Sequence, residues 1–324
     1  MRIGVIGGAG FIGSHVVDKL LEAGHDVIVF DIMRPHRSDV RHVVADILDA
    51  NRTTVALAGC YDALYLLAAV SDVNDVFHIP VESAQVNIMA VAHVLEAARR
   101  TGAGRVIFAS TTWVYALADA AEVDEETPLR PDRVNHLYTA SKLSAEMLCH
   151  AYHTLYGVDI TILRYGIPYG PRARAGTVLA RFVARALQGQ PIVIQGNGMQ
   201  WRSLLAVEDL ALGNVAALQD IARNQTYNLD GPERVEIQRV AETVRQFFPA
   251  VDIQYAEGRP GDLPPKIVSS RKAFAQLGWN PQIGFDDGAK RYIQWMQQNT
   301  RPRAGNGARS RRGLTAAQPT RMRI

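Results

Sequence analysis

Residues 2–13 read Arg2-Ile3-Gly4-Val5-Ile6-Gly7-Gly8-Ala9-Gly10-Phe11-Ile12-Gly13. The first five make a short apolar run of strand type, and the glycines follow without a spacer. Beyond them Val16, Val17, Leu20 and Leu21 recur at helical intervals, and Gly24 stands where the helix needs a stop. Strand, glycine turn and helix, in that order, predict a cradle for the pyrophosphate of a dinucleotide. Gly7 allows the tight turn, Gly10 lets backbone approach the phosphates, and Gly13 lets helix pack on strand, with the helix N-terminus facing the anion. A second strand-like run, Asp26 to Phe30, ends in Asp31. A carboxylate about 20 residues past the glycines accepts hydrogen bonds from adenosine ribose hydroxyls and repels a 2′-phosphate, so NAD is expected over NADP.

Tyr138 and Lys142 lie four residues apart in a helical pattern over 137–156. That is about one turn, so phenol and ammonium leave the same face. A cation there is expected to lower a phenol pKa that is ordinarily about 10, making Tyr138 a proton acceptor near neutral pH.

Strand-like runs at Ala63 to Ala69, Arg105 to Ala109 and Asp159 to Arg164 alternate with helical patterns at 87–100 and 137–156. This rhythm predicts an α/β fold, a doubly wound parallel sheet of Rossmann type with a smaller C-terminal lobe and the ligand at the carboxyl ends of the strands. Residues 1–167 are expected to form the cofactor domain, with 203–228 returning to it. Residues 168–202 and 229–300 are assigned to a substrate lobe. At the strand ends, Asp46 and Ile47 are placed to meet adenine, Leu67, Ala68 and Ala69 supply small residues beside the cofactor, and Ser110, Thr111 and Thr112 bring hydroxyls toward Tyr138.

The chain has 324 residues, 48% of them hydrophobic, and a net charge of +3. Seven of its 35 basic residues are arginines within 301–324, a stretch without acids, which leaves 28 basic against 32 acidic residues elsewhere. The body is therefore mildly acidic, which removes the motive for nucleic-acid binding, and the terminal stretch has the composition of a disordered tail. Cys60 and Cys149 are the only cysteines, without metal or disulfide spacing, so no metal and a reducing, cytoplasmic setting are expected. No run approaches the roughly 18 apolar residues of a membrane span, and no leader pattern precedes the first strand.

These segments, with others in the same order, resemble the extended short-chain dehydrogenase/reductases, specifically the NAD-dependent nucleotide-sugar epimerase/dehydratase family. The resemblance runs from residue 1 to about 297. It is carried by the glycine loop, Ala45-Asp46-Ile47, Leu67-Ala68-Ala69, Asn87, Ser110-Thr111 before Val114-Tyr115, Tyr138 with Lys142, and Arg164-Tyr165 ahead of Tyr169-Gly170-Pro171-Arg172. Gly196 to Arg202, Val207 to Leu210, Tyr227-Asn228-Leu229, Arg259 to Asp262 and Leu277-Gly278-Trp279 extend it. It implies Tyr138 as catalytic base and acid, Lys142 as its electrostatic partner and a ribose ligand, and Thr111 as the hydroxyl on the reacting sugar oxygen. Phe11, Ile12, Asn87 and Tyr165 join the glycines, Asp31, Asp46, Ile47 and Leu67 to Ala69 as expected cofactor contacts. Arg202, Arg259 and Asp262 are expected to grip a nucleotide-diphosphate sugar, with Thr112 and Arg174 beside it. Family members are usually homodimers built through a four-helix bundle. Here Ile88, Val91, Leu95 and Leu143, Met147, Leu155 form stripes at roughly helical spacing.

Dehydratase and decarboxylase branches resemble Thr-Asp-Glu or Thr-Ser-Glu at this point, where this chain has Thr111-Thr112-Trp113. Indole moves no proton, so the resemblance implies C4 epimerisation of a UDP-hexose or UDP-hexuronate through a 4-keto intermediate. The competing readings are a 4-keto-sugar reductase, and a non-catalytic dinucleotide binder. Leu66 and Ile167 depart from the His and Asn of many relatives. Arg174, after Arg172-Ala173, resembles a second arginine in relatives that act on uronic acid nucleotides.

Overall fold

The computed structural model describes residues 1–258 and 265–300. The chain runs through β1 (Arg2–Ile6), α1 (Phe11–Glu22), β2 (Asp26–Asp31), β3 (Arg41–Val44), α2 (Ala50–Ala56), β4 (Ala63–Leu66), α3 (Val73–His78), α4 (Pro80–Ala84), α5 (Ala90–Thr101) and β5 (Val106–Thr111). There follow β6 (Glu122–Val123), α6 (Leu137–Tyr156), β7 (Ile160–Tyr165), β8 (Ile167–Tyr169), α7 (Val178–Leu187), β9 (Ile192–Gln195), β10 (Trp201–Ala206), α8 (Val207–Ala216) and β11 (Gln225–Leu229). The last elements are β12 (Arg234–Glu236), α9 (Ile237–Phe247), β13 (Ile253–Ala256), β14 (Ile267–Val268), α10 (Arg271–Leu277) and α11 (Phe285–Thr300).

Seven strands form one parallel sheet in the order β11-β7-β5-β4-β1-β2-β3. The chain leaves β1 toward β2 and β3, then crosses back to β4 on its other side. The order reverses between β1 and β4, and in such sheets ligands bind outside the carboxyl ends of the strands at the point of reversal. Strand residues alternate between two cores. Ile3, Val5, Val27, Val29 and Tyr65 pack with Val16 and Leu20 of α1 and Leu210 of α8. Ile6, Ile28, Phe30, Leu64, Leu66 and Phe108 pack with Val91, Val94 and Leu95 of α5 and Ala145 of α6. Each large apolar side chain so buried contributes roughly 1.5–3 kcal/mol, which makes the rim of this sheet a rigid support.

Several limits differ from those expected. The run from Ala63 stays a strand only to Leu66, because the Leu67 and Ala68 N–H groups both turn to the Ile6 carbonyl, at 2.9 and 3.1 Å. The helix expected from residue 87 begins with a wide turn over Gln85–Met89 before α5. Within residues 203–228, α8 packs on the sheet beside α1 through Leu210 and Ala211. β10 pairs with β8 and β12 outside it, since Leu204 to Ala206 align with Ile167 to Tyr169, and only β11 rejoins β7. β10, β8, β12 and the β13-β9 pair surround a separate core of Phe182, Ile192, Ile194, Val240 and Tyr292. The two expected stripes divide: Val91, Leu95 and Leu143 are buried in this chain, whereas Met147 and Leu155 are 65% and 69% exposed. The tail at 301–324 lies outside the described residues.

Candidate active site

At the point of reversal between β1 and β4, Gly7 adopts φ +84°, and a Cβ there would come within 2.5 Å of the Ala68 nitrogen. A Cβ at Gly13 would lie 2.1 Å from the Gly7 carbonyl oxygen, so α1 can seat on the turn only with glycine at that point. Gly10 differs: its Cβ would meet only the Gly7 oxygen, at 3.3 Å, so that flank is open. Gly10 caps α1 without a side-chain bond, and the helix start, at Phe11 and Ile12, presents backbone N–H groups toward the opening. The Asp31 carboxylate accepts the Ala9 and Met33 N–H groups, both at 2.9 Å, and so sits against the glycine turn. This arrangement fits the pyrophosphate and adenosine ribose of a dinucleotide. Ile47 is buried and its carbonyl bonds His93, while Asp46 is exposed and turns its carboxylate to the Leu48 N–H.

Asn87 reaches this rim differently from a direct ligand. Its amide bonds the Val70 N–H and C=O, each at 2.9 Å, and the Ser141 hydroxyl at 3.2 Å, bracing the segment that follows Leu67 to Ala69. Tyr165 turns its phenol into the core, 2.5 Å from Asn214 Oδ1, so only its backbone, at the end of β7, lies on this rim.

The α6 helix brings Tyr138, Lys142 and Glu146 to one face. Tyr138 is partly buried, and its phenol hydrogen-bonds the Thr111 hydroxyl at the end of β5. Burial pushes that phenol up to about 12, against the downward pull of Thr111 and of the Arg174 charge. The structure does not bear out the expectation that Lys142 lowers it: the ammonium donates to the Ala109 carbonyl at 2.8 Å, and desolvation of the phenolate outweighs the Arg174 charge. Lys142 itself is drawn down to about 8 by burial, with Cys149 and Glu146 opposing.

Two features behind this pair escaped the sequence reading. Glu146 and Arg164 form a buried bidentate ion pair, at 3.0 and 2.7 Å, which also takes in Ser110, and Arg164 reaches the Tyr115 phenol. Tyr115 passes the network to Asn228 of β11 at 2.9 Å. The network locks α6 to the strand that ends in Thr111. Its signal in the sequence was a carboxylate one further turn past Lys142. The second feature is His136, the N-cap of α6, packed against Trp113.

Of the expected substrate contacts, Thr112 opens the short turn after Thr111 and is partly buried. Arg174 is exposed, bonds the Ser71 hydroxyl and lies close enough for its charge to act on Tyr138. Arg202 sits on β10, with one guanidinium nitrogen on the Trp201 carbonyl at 2.8 Å. Arg259 and Asp262 lie outside the described residues. Among the described residues no three His, Cys, Asp or Glu side chains gather as a metal site, and no helix is long and apolar enough to cross a membrane.

The family model described as the NAD dependent epimerase/dehydratase family matches residues 3–230. The chain is 30% identical over 308 residues to a putative UDP-glucose 4-epimerase of Methanocaldococcus jannaschii, covering 92% of this chain and 99% of the relative. It is 31% identical over 324 residues to UDP-glucuronic acid decarboxylase 6 of Arabidopsis thaliana, covering 94% and 90%. The crystal structure of UDP-glucuronic acid 4-epimerase from Bacillus cereus, in complex with UDP-glucuronic acid and NAD, matches with a TM-score of 0.84 at 27% identity, covering 92% of this chain and 100% of that one.

Proposed function

This chain belongs to the NAD dependent epimerase/dehydratase family, and from that premise we propose that it epimerises a UDP-hexose or UDP-hexuronate at C4 through a 4-keto sugar. Its cofactor is NAD, for which the Gly7 to Gly13 turn and Asp31 are the matching cradle. A bound NAD would supply a reversible hydride acceptor for the carbinol carbon. Tyr138 takes the proton of the sugar hydroxyl and gives it back, while Thr111 orients that oxygen and Lys142 supplies positive charge. The buried Glu146–Arg164 pair keeps the two hydroxyls in register. Arg202 holds the diphosphate side, together with Arg259 and Asp262.

One observation favours epimerisation over elimination or decarboxylation. The residue two beyond Thr111 is Trp113, whose ring rests on His136 and cannot act as acid or base. A reaction confined to one carbinol carbon needs no further carboxylate there. Arg174 supports a uronate as substrate, because a cation close to Tyr138 suits a carboxylate on the same sugar ring.

Purified protein is to be incubated with UDP-glucose, UDP-glucuronate and their galacto epimers, without added nucleotide. Interconversion of one pair, with NAD retained by the protein, is the expected result. Release of carbon dioxide with pentose formation, or turnover of a keto sugar only with added reduced cofactor, rejects it. We also propose a homodimer, through the exposed Met147 and Leu155 face of α6.

A further inference from the structure

Four contacts close a ring around the two hydroxyls of the site. The Thr111 hydroxyl bonds the Tyr138 phenol and accepts the Trp113 backbone N–H at 3.2 Å. The Trp113 indole meets the His136 imidazole edge-on, with ring centres 5.7 Å apart. His136 Nδ1 then accepts the Tyr138 backbone N–H at 3.2 Å, capping α6. The strand end that carries Thr111 and the helix end that carries Tyr138 are thus tied twice, once through the hydroxyls and once through Trp113 and His136.

A histidine cap differs chemically from the usual Ser, Thr, Asp or Asn. Nδ1 accepts only while the ring is neutral with its proton on Nε2. A second proton sets donor against donor and places a positive charge at the positive end of α6. Burial already holds this imidazole below its ordinary value, in agreement with a cap that is kept neutral. His136 lines a small cavity together with Trp113, Val114, Leu117, Val134, Asn135 and Thr139. Among the described residues the charged group lining this cavity is Arg130, itself paired with Asp119 and Asp132; on α6 the titratable neighbour is Tyr138.

The geometry points to His136 as a positioning residue for Tyr138, clamped by Trp113 and released when its ring is protonated. This deepens the proposed reaction and rests on Tyr138 as the proton-transfer group. The neutral cap holds the first turn of α6, and with it the phenol, against Thr111. Protonation frees that turn, and the two hydroxyls lose register.

The test follows the His136 ring by NMR in histidine-labelled protein over pH 4 to 8, with exchange of the Tyr138 amide measured in parallel. Protection of that amide is expected to fall as His136 gains its proton, and kcat to fall with it while KM holds. His136→Asn supplies a cap that does not titrate, so protection and kcat persist to lower pH. His136→Ala lowers kcat roughly fivefold at neutral pH and removes the acid limb, since the cap is then absent whatever the pH. Trp113→Ala uncovers the ring, so its titration and the acid loss both move upward. An acid limb that is the same in wild type and His136→Asn overturns the proposal, as does amide protection indifferent to the state of His136. Exchange is read without substrate, so a protein inert toward nucleotide sugars sinks the reaction reading alone.

Discussion

The Lys142 ammonium donates to the Ala109 carbonyl at 2.8 Å, tying α6 to the end of β5, and lies 4.9 Å from the centre of the Phe108 ring. A cation only 4% exposed is therefore held by one carbonyl and one aromatic face. Charge at this point costs stability and serves the chemistry.

The cost is measurable through pH. The folded-state pKa of Lys142, about 8, lies below its ordinary 10.5, so the unfolded chain binds more protons between those values. Stability of the wild type is expected to rise as pH climbs through that window. Lys142→Met removes the rise and is more stable at pH 7 by up to about 3 kcal/mol, while losing activity. Urea denaturation at pH 7 and 10.5 checks this; a parallel pH dependence in both proteins contradicts it.

Tyr138→Phe deletes one hydroxyl from a site otherwise kept intact. Turnover is expected to fall by at least about 10²-fold, the scale of lost acid–base catalysis, with NAD content unchanged. Mass spectrometry of the bound nucleotide, alongside the epimer assay, reads both. Undiminished turnover removes the assigned base.

Glu146 and Arg164 are each almost fully buried, so removing one strands the other. Glu146→Met or Arg164→Leu alone is expected to cost about 3–5 kcal/mol, whereas the double variant Glu146→Met with Arg164→Leu costs less than the two single changes combined. Chemical denaturation of the four proteins completes the cycle. Simple additivity means that the pair is not coupled.

Asp230 follows β11 with its carboxylate packed over Gly166, where any Cβ would collide with it. Burial raises it to about 7, against bonds from the Gly231 N–H and the Ser203 hydroxyl. The folded chain holds more protons between the ordinary 3.8 and 7, so stability present below that window is lost as pH rises through it. Asp230→Asn is expected to be more stable than wild type at pH 8, by on the order of 4 kcal/mol, with the gap closing toward pH 4. Thermal melts at the two pH values decide; a gap that does not change with pH excludes Asp230 as its source.

Met147 and Leu155 lie two helical turns apart on the open face of α6. Converting both to Glu is expected to turn a dimer into a monomer without unfolding it, as read by sedimentation velocity. A wild-type monomer at micromolar concentration rejects the dimer.

Much of this molecule was legible in its residues because the signals are local. β1 and the Gly7 turn follow from a strand-type run meeting glycines at fixed offsets, and α6 spans Leu137–Tyr156, as its pattern predicted, with Gly157 at φ +68° ending it. The site was legible less evenly. Period-two alternation says that Arg164 and Tyr165 take opposite faces of β7, but not that the Tyr165 phenol would find Asn214, 49 residues away. Arg174 and Ser71 are 103 residues apart, and no spacing rule connects them.

What the chain's order of residues determined alone is the backbone plan and the inventory of reactive groups, since dihedral preferences and side-chain periodicity act between near neighbours. What the tertiary structure decided is the surroundings of those groups: the raised Tyr138 phenol, the Lys142 ammonium on Ala109, the His136 ring capping α6 against Trp113. Protonation and orientation depend on which distant segments exclude water around a group, and that exists only once the strands and helices have packed.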